Sequence, residues 1–153
     1  MRDQFKFADR LDVADKTVLL RLDVNVPLAN GSVSNDTRIL HVMPGVRALL
    51  DNGAKVVILT HFGRPKGKIV PSLSLRPVAK AISEILDQPV PVESDVIGKG
   101  GRAAVDALRP GDILLMENLR FYPEEEANDQ GFAQKLAALG DIYVGDAFSC
   151  AHR

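Results

Sequence analysis

A carboxylate and an amide stand two residues apart at the end of a short apolar run. Asp23 and Asn25 follow Thr17–Leu22, whose β-branched and aliphatic residues predict a buried strand, and Pro27 ends any hydrogen-bonded ladder. Residues two apart in an extended segment face the same side, so both groups would point beyond the carboxyl end of the strand. Such a pair could bind a small polar ligand, or could satisfy backbone groups in a turn. This stretch alone leaves both interpretations open.

Basic residues follow each of four strand-like runs in the chain. Four arginines and two histidines occupy these positions: Arg38, His61, Arg64, Arg120, His152 and Arg153. Because the carboxyl ends of parallel strands meet at one edge of a sheet, these side chains would converge there. The planar fork of arginine suits bidentate contact with phosphate or carboxylate. The pattern therefore indicates a small polyanionic ligand.

Each basic residue also has a structural explanation when it is taken alone. Arg38 could be solvated at a helix start, and Arg64 could be a turn residue held by Pro65. Arg120 could pair on the surface with the acidic run 124–126, which itself predicts a solvated helix start favoured by the helix dipole. Repetition of the arrangement after four strands favours a shared site.

Strand-like and helix-like segments alternate along the chain. Strands are predicted at 17–22, 55–60, 113–116 and 141–144, with a weaker one at 89–92. Helices are predicted at 41–52, 75–86, 101–108 and 130–139. Pro44 is tolerable only in a first turn, and Ser74 and Asp129 are the predicted N-caps. The alternation predicts an α/β fold, an open parallel sheet covered by helices on both faces.

A hairpin is predicted between the first strand and the first helix. Asn30 and Gly31 form a turn signal that would fold 26–28 back on 32–34 as a small flap.

Composition excludes several classes of function. The 153 residues suit one domain, and a net charge of −1 with a pI near 6.3 gives no basic field for nucleic acid or anionic membranes. The first residues lack a signal peptide's apolar run, and no apolar run is long enough to cross a bilayer. The single cysteine, Cys150, fits a reducing compartment, so a cytoplasmic protein is expected.

Three short motifs are poor matches to known chemistry. The run 63–69 resembles a phosphate-binding loop, but only three residues separate its glycines and Ile69 replaces the required Ser or Thr. The run 98–103 fits a dinucleotide pattern but follows the weakest strand. Cys150 and His152 lack an identifiable residue to orient the histidine, and no Cys/His spacing suggests a metal.

Taken together, the loops resemble the N-terminal domain of the phosphoglycerate kinase family. The matching pieces occur in the family's order and span nearly the whole chain: Arg21-Leu22-Asp23-Val24-Asn25-Val26-Pro27, Asp36-Thr37-Arg38-Ile39, His61-Phe62-Gly63-Arg64-Pro65, Glu117-Asn118-Leu119-Arg120-Phe121 with Glu124-Glu125, and Asp146-Ala147-Phe148 with Ala151-His152-Arg153. The resemblance implies a three-layer, Rossmann-like open parallel sheet in a monomeric, two-domain glycolytic enzyme. Its reaction is reversible phosphoryl transfer between 1,3-bisphosphoglycerate and ADP, giving 3-phosphoglycerate and MgATP.

The resemblance also assigns roles to individual residues. Asp23 and Asn25 would bind the hydroxyl and carboxyl end of the phosphoglycerate, and Arg38 would be the catalytic arginine that steadies the transferring phosphoryl group. A basic patch would surround the substrate's own phosphate, formed by His61, Arg64, Arg120 and Arg153.

The chain is expected to be one part of that enzyme. Residues 1–153 would form the 3-phosphoglycerate-binding domain, incomplete at its C-terminal end, and the Mg-ATP site would belong to a C-terminal domain absent from this chain. The chain would then carry a half-site and be inactive alone. Two alternatives stay open: a non-catalytic, anion-binding regulatory module, and a nucleotide-binding domain built on 98–103.

Overall fold

A computed structural model describes residues 11–147 of the chain. Its strands are β1 (Thr17–Leu22), β2 (Leu28–Ala29), β3 (Ser32–Val33), β4 (Lys55–Leu59), β5 (Val92–Glu93), β6 (Ile113–Met116) and β7 (Ile142–Asp146). Its α-helices are α1 (Thr37–Asp51), α2 (Arg76–Leu86), α3 (Lys99–Asp106), α4 (Pro123–Glu126) and α5 (Gln130–Ala137). Short 3₁₀ helices occupy Pro71–Leu73 and Leu119–Phe121.

Five of these strands form one parallel sheet in the order β5-β6-β4-β1-β7. Since β1, β4 and β6 are neighbours or next neighbours, the loops that leave their carboxyl ends lie beside one another. The four strong predicted strands are confirmed with shifts of at most two residues at their ends. The weak fifth is reduced to Val92–Glu93 at the edge of the sheet.

Alternate strand residues enter two separate hydrophobic cores. Val18, Leu20 and Leu22 pack on the face covered by α1 and α2. Leu19 packs on the opposite face, which is covered by α3 and α5. This alternation follows from the two-residue period of a strand. The expected three-layer, Rossmann-like arrangement with helices on both faces is confirmed.

The predicted start of the first helix is wrong. Helix α1 begins at Thr37, not at 41, and Pro44 lies in its interior instead of its first turn. Ile39 and Met43 are buried, so continuing the helix towards its N-terminus adds apolar contact with the core. Pro44 frees the carbonyl group of Leu40, a residue that is 50% exposed on the solvent side, where water can hydrogen-bond that group.

Two other helix starts also differ from the prediction. Helix α2 begins at Arg76, with Leu75 in the N-cap position and Ser74 in the turn before it. Helix α3 begins at Lys99, two residues before the predicted 101. The predicted N-cap of α5 is confirmed, because the Asp129 side chain accepts a hydrogen bond from the N–H group of Phe132 at 2.8 Å.

The predicted hairpin is present as β2 and β3. Leu28 pairs with Val33 and Ala29 with Ser32, so the strands are shorter than expected. Asn30 and Gly31 have φ angles of +53° and +76°, the left-handed pair that a type I′ turn requires.

Tyr122 anchors the loop before α4 to the segment that precedes α3. Its Oη accepts a hydrogen bond from the N–H group of Val96 at 3.2 Å, and its ring centroid lies 5.4 Å from that of Phe132. Burial raises the pKa of Tyr122 above its ordinary value of 10.0; nearby carboxylates, Asp95 first, act in the same direction, while the Val96 hydrogen bond opposes them. Among residues 11–147, no helix is long and apolar enough to cross a bilayer.

Alkaline pH should therefore destabilise the fold through Tyr122. A folded pKa above the unfolded one means that the stabilisation is fully present below about pH 10 and is lost as pH rises through the folded pKa. Because the chain has only two tyrosines, Tyr143→Phe leaves Tyr122 alone in a tyrosinate absorbance titration. We expect its midpoint above 10.0; a midpoint at or below that value would contradict the burial argument.

Candidate anion-binding site

The end of β1 carries polar side chains at alternate positions. Arg21 lies within the strand, and Asp23 and Asn25 follow it. The Oδ1 atom of Asp23 accepts a hydrogen bond from the N–H group of Asn25 at 3.2 Å. Asp23 therefore has the turn role that the sequence left open.

Arg38, in the first turn of α1, approaches this turn. Its Nη1 atom donates to the carbonyl oxygen of Asn25 at 3.2 Å and lies 3.5 Å from Oδ1 of Asp23. The Arg38 side chain is 59% exposed, so water screens this ion pair. The structure thus brings together three predicted site residues in a contact weak enough for a ligand anion to replace.

A second group of polar side chains lies at the carboxyl ends of β1, β4 and β6. His61 and Arg120, two of the predicted site residues, are buried there. Two further charged residues, Arg21 and Glu125, contact them. Arg21 Nη2 lies 3.0 Å from Nδ1 of His61 and 3.3 Å from Oε1 of Glu125. Arg120 Nε lies 3.5 Å from Oε2 of the same Glu125.

The protonation state of His61 follows from its partner. A guanidinium group can only donate hydrogen bonds, so the contact with Arg21 requires Nδ1 of His61 to be the acceptor. The ring is therefore neutral in this arrangement, with its proton on Nε2.

Arg120 does pair with the acidic run, and that run does begin a helix, but the pair is not on the surface and the run is not wholly solvated. Arg120 is 8% exposed, and the Glu125 side chain is 13% exposed. Helix α4 packs against the 3₁₀ helix Leu119–Phe121, so a member of the run points inward. Glu126 remains half exposed, with its Oε1 atom 3.4 Å from Arg120 Nε.

Gly63 connects the two groups of side chains. Its N–H group donates to Oδ1 of Asn25 at 3.4 Å, and its carbonyl oxygen accepts from Nη1 of Arg120 at 3.5 Å. Glycine is favoured here, because φ is +63° and a Cβ atom would displace the end of the Leu73 side chain. The next residue, Arg64, is exposed and makes no hydrogen bond or ion pair with the described part of the chain.

Sequence reasoning missed the residue that holds these loops together. Asn118 is fully buried after β6; its Nδ2 atom donates to the carbonyl oxygens of Phe62 and Leu73, at 2.7 and 3.0 Å. Its Oδ1 atom accepts from the N–H groups of Phe62 and Arg120, at 3.2 and 3.1 Å. An amide two residues after an all-apolar strand was the available signal, since buried amides need partners.

Arg21 and Glu125 were missed as well. Arg21 is a charged residue inside an otherwise apolar strand, and that interruption could have marked it. The expected contributions of His152 and Arg153 lie outside the described residues, as does Cys150.

The loop 98–103 does not present a nucleotide site. The Oδ2 atom of Asp95 accepts a hydrogen bond from the N–H group of Gly100 at 2.8 Å. A Cβ atom at Gly98 would lie 2.3 Å from Oδ1 of the same carboxylate. The chain's own carboxylate therefore occupies the N-terminus of α3, where a pyrophosphate would have to bind.

The fold and the clustered side chains define an α/β protein with several arginines at the carboxyl edge of a parallel sheet. A sequence model described as phosphoglycerate kinase matches residues 8–153. The chain belongs to the phosphoglycerate kinase family.

Relatives and solved structures agree with this assignment. The phosphoglycerate kinase of a Ruegeria species is 52% identical over 149 residues, which are 97% of this chain and 38% of that protein. That of Rippkaea orientalis is 54% identical over 142 residues, 93% of this chain and 36% of that protein. The phosphoglycerate kinase structures from Coxiella burnetii and Pyrococcus horikoshii match with TM-scores of 0.83 and 0.84, at 39% and 36% identity. They are matched over 94% and 97% of this chain and 35% and 38% of their own.

Proposed function

We propose that the chain is the phosphoglycerate-binding part of a phosphoglycerate kinase. The whole enzyme transfers phosphate reversibly between 1,3-bisphosphoglycerate and ADP, giving 3-phosphoglycerate and ATP. One observation carries the proposal: Gly63 joins the Asp23, Asn25 and Arg38 group to the buried His61 and Arg120 group. An acidic and amide end beside a cationic end matches a ligand with a hydroxyl at one end and a phosphate at the other.

The proposed roles divide the ligand between the two groups. Asp23 and Asn25 bind its hydroxyl and carboxyl end, and Arg38 is the catalytic residue that stabilises charge on the transferring phosphoryl group. The ligand's own phosphate is bound by His61, Arg64, Arg120 and Arg153. A carboxylate nucleophile is already ionised at neutral pH, so the reaction needs positioned cations and no strong general base.

The described residues do not suit a magnesium nucleotide. The Asp95 carboxylate occupies the N-terminus of α3, where the glycine-rich run 98–103 lies. Among residues 11–147, no three His, Cys, Asp or Glu side chains come together as metal ligands. The chain spans 36 to 38% of the length of the relatives cited above. We therefore place Mg-ATP and Mg-ADP binding in a C-terminal domain, within the part of the relatives that this chain does not match, and expect the 153 residues to be inactive alone.

The protein is proposed to act as a cytoplasmic monomer. Within residues 11–147 the exposed large apolar side chains are Leu40, Ile69 and Tyr143, which lie on a helix, a loop and a strand. The family resemblance is the ground for a cytoplasmic glycolytic role.

Arg64 offers a clean test because its side chain contributes no internal contact in the described structure. Arg64→Ala should weaken 3-phosphoglycerate binding about tenfold by removing a charge-assisted hydrogen bond. The free energy of unfolding should change by less than about 0.5 kcal/mol. Calorimetric titration and denaturant unfolding measure the two effects.

Arg109→Ala is the matched control, since Arg109 is exposed and lies before β6, at the opposite edge of the sheet. It should change neither binding nor stability. The proposal fails if millimolar 3-phosphoglycerate perturbs no amide resonance near Arg38, Arg64 or Arg120 in a folded sample. Equal weakening by both substitutions would show nonspecific charge attraction instead.

A further inference from the structure

Glu125 places one carboxylate between two arginines from different strands. Its Oε1 atom lies 3.3 Å from Nη2 of Arg21, and its Oε2 atom lies 3.5 Å from Nε of Arg120. The Arg21, Glu125 and Arg120 side chains are at most 13% exposed. This bridge therefore lies under the site surface, where charge interactions are stronger than in open solvent.

The bridge connects segments that are distant in the chain. Arg21 belongs to β1, Arg120 follows β6, and His61 follows β4, which lies between those strands in the sheet. Two guanidinium groups this poorly exposed repel each other and need a nearby negative charge. Without Glu125 they would move towards water or separate, and the contact between Arg21 and His61 would be lost.

The contacts of Arg120 show which of its edges faces a ligand. Its Nε atom faces the carboxylates but makes no hydrogen bond, and the same is true of the buried Oε2 atom of Glu125. Charge, and not a full set of hydrogen bonds, therefore holds the pair. The Nη1 atom of Arg120 lies 3.5 Å from the carbonyl oxygen of Gly63, so the Nη end of the side chain is the one at the candidate site.

We propose that Glu125 is a positioning residue of the anion site. Its carboxylate holds Arg21 and Arg120 side by side, keeps Arg21 on Nδ1 of His61, and thereby leaves the Nη atoms of Arg120 for a phosphate group. This inference rests on the proposed function, because the phosphate is that of 3-phosphoglycerate. A carboxylate that merely competes with the ligand for the arginines predicts the opposite effect on affinity.

Glu125→Gln separates these two roles. The amide keeps the size of the side chain but removes its charge, so the arginines lose their shared counter-ion. We expect the affinity for 3-phosphoglycerate, measured by calorimetry, to fall about tenfold or more, the effect of one lost charge-assisted contact. Tighter or unchanged binding by the folded variant overturns the proposal.

Glu126→Gln is the matched control on the same helix. It removes the same charge from the neighbouring position, where the side chain is 46% exposed and meets Arg120 at 3.4 Å. Screening by water should limit its effect to about twofold. A loss equal to that of Glu125→Gln would mean that net charge, not the bridge, sets the affinity, and would overturn the proposal.

His61 supplies a readout that a merely structural role of Glu125 would not move. Histidine nitrogen NMR shifts should report the Nε2–H form of His61 in the unmodified chain and a mixture of both tautomers in Glu125→Gln. His61→Gln assigns the signal among the three histidines. A predominant Nδ1–H form in the unmodified chain, or an unchanged pattern in the variant, overturns the proposal.

Glu125→Asp decides the case if the glutamine variant does not fold. Aspartate keeps the charge but is one methylene shorter, so it cannot reach both arginines at once. We expect a folded protein with weakened binding, and affinity equal to that of the unmodified chain overturns the proposal. Failure of the unmodified chain to bind 3-phosphoglycerate refutes the proposed function instead, and the His61 tautomers then decide the role of Glu125.

Discussion

Replacing Asn118 by alanine should lower the free energy of unfolding by about 3–5 kcal/mol, since several buried backbone groups would lose their partners. The side chain makes four hydrogen bonds to the backbone of three segments, and none of its surface is exposed. Chemical denaturation followed by circular dichroism measures the loss.

The same substitution should abolish measurable 3-phosphoglycerate binding at millimolar ligand. Asn118 fixes the backbone at Phe62, next to both His61 and Gly63, and fixes the N–H group of Arg120. Once that backbone is released, the cationic side chains no longer share one geometry. Amide NMR spectra should show the disturbance concentrated in the loops 61–64 and 118–121.

Asn118→Asp tests whether donation matters as much as acceptance. An aspartate can still accept from the N–H groups of Phe62 and Arg120, but its carboxylate would face the carbonyl oxygens of Phe62 and Leu73. We expect it to be at least as destabilising as alanine at neutral pH. Asn52→Ala, at an exposed helix end where one hydrogen bond is lost, should cost no more than about 1 kcal/mol. Similar losses for Asn52 and Asn118 would contradict the network.

The positions of the strands along the chain were predictable because strand formation depends on the local pattern of apolar residues. Apolar, β-branched runs such as Thr17–Leu22 and Ile113–Met116 coincide with β1 and β6 residue for residue. Helix α1 was predicted too short because the sequence does not show that Leu40, whose carbonyl group loses its partner at Pro44, lies on the solvent side of the helix. Burial of Ile39 and Met43 outweighed the cost of the proline.

The contacts inside the site were not predictable from spacing. Arg21 and Glu125 are 104 residues apart in the chain, and Asn118 reaches residues 56 and 45 positions away. Only the folded sheet determines which loop ends meet, and only packing decides which member of an acidic run turns inward. Sequence could place basic residues at one edge of the sheet, but it could not say that Arg120 is buried and Arg64 exposed.

Replacing Glu117 by alanine should cost about 3–4 kcal/mol of stability, because three hydrogen bonds to a buried carboxylate would be lost. Glu117 is 7% exposed and accepts from Ser74 Oγ at 2.7 Å and from the N–H groups of Leu75 and Asn118, each at 2.8 Å. Helix α2 has no side-chain cap of its own at Leu75. A carboxylate from the loop after β6 therefore serves as its N-terminal acceptor and interacts favourably with the helix dipole.

Charge and geometry can be separated at this position. Glu117→Gln keeps one acceptor oxygen but loses the charge, so it should cost about 1–2 kcal/mol, and Ser74→Ala should add little to Glu117→Ala because the two share one contact. Glu84→Ala, on the exposed face of the same helix, should change stability by less than about 0.5 kcal/mol. Amide hydrogen exchange should increase first at the N-terminus of α2 in the Glu117 variants. If exchange there is unchanged while global stability falls, Glu117 acts through Asn118 and the loops of the anion site, not as the cap of α2.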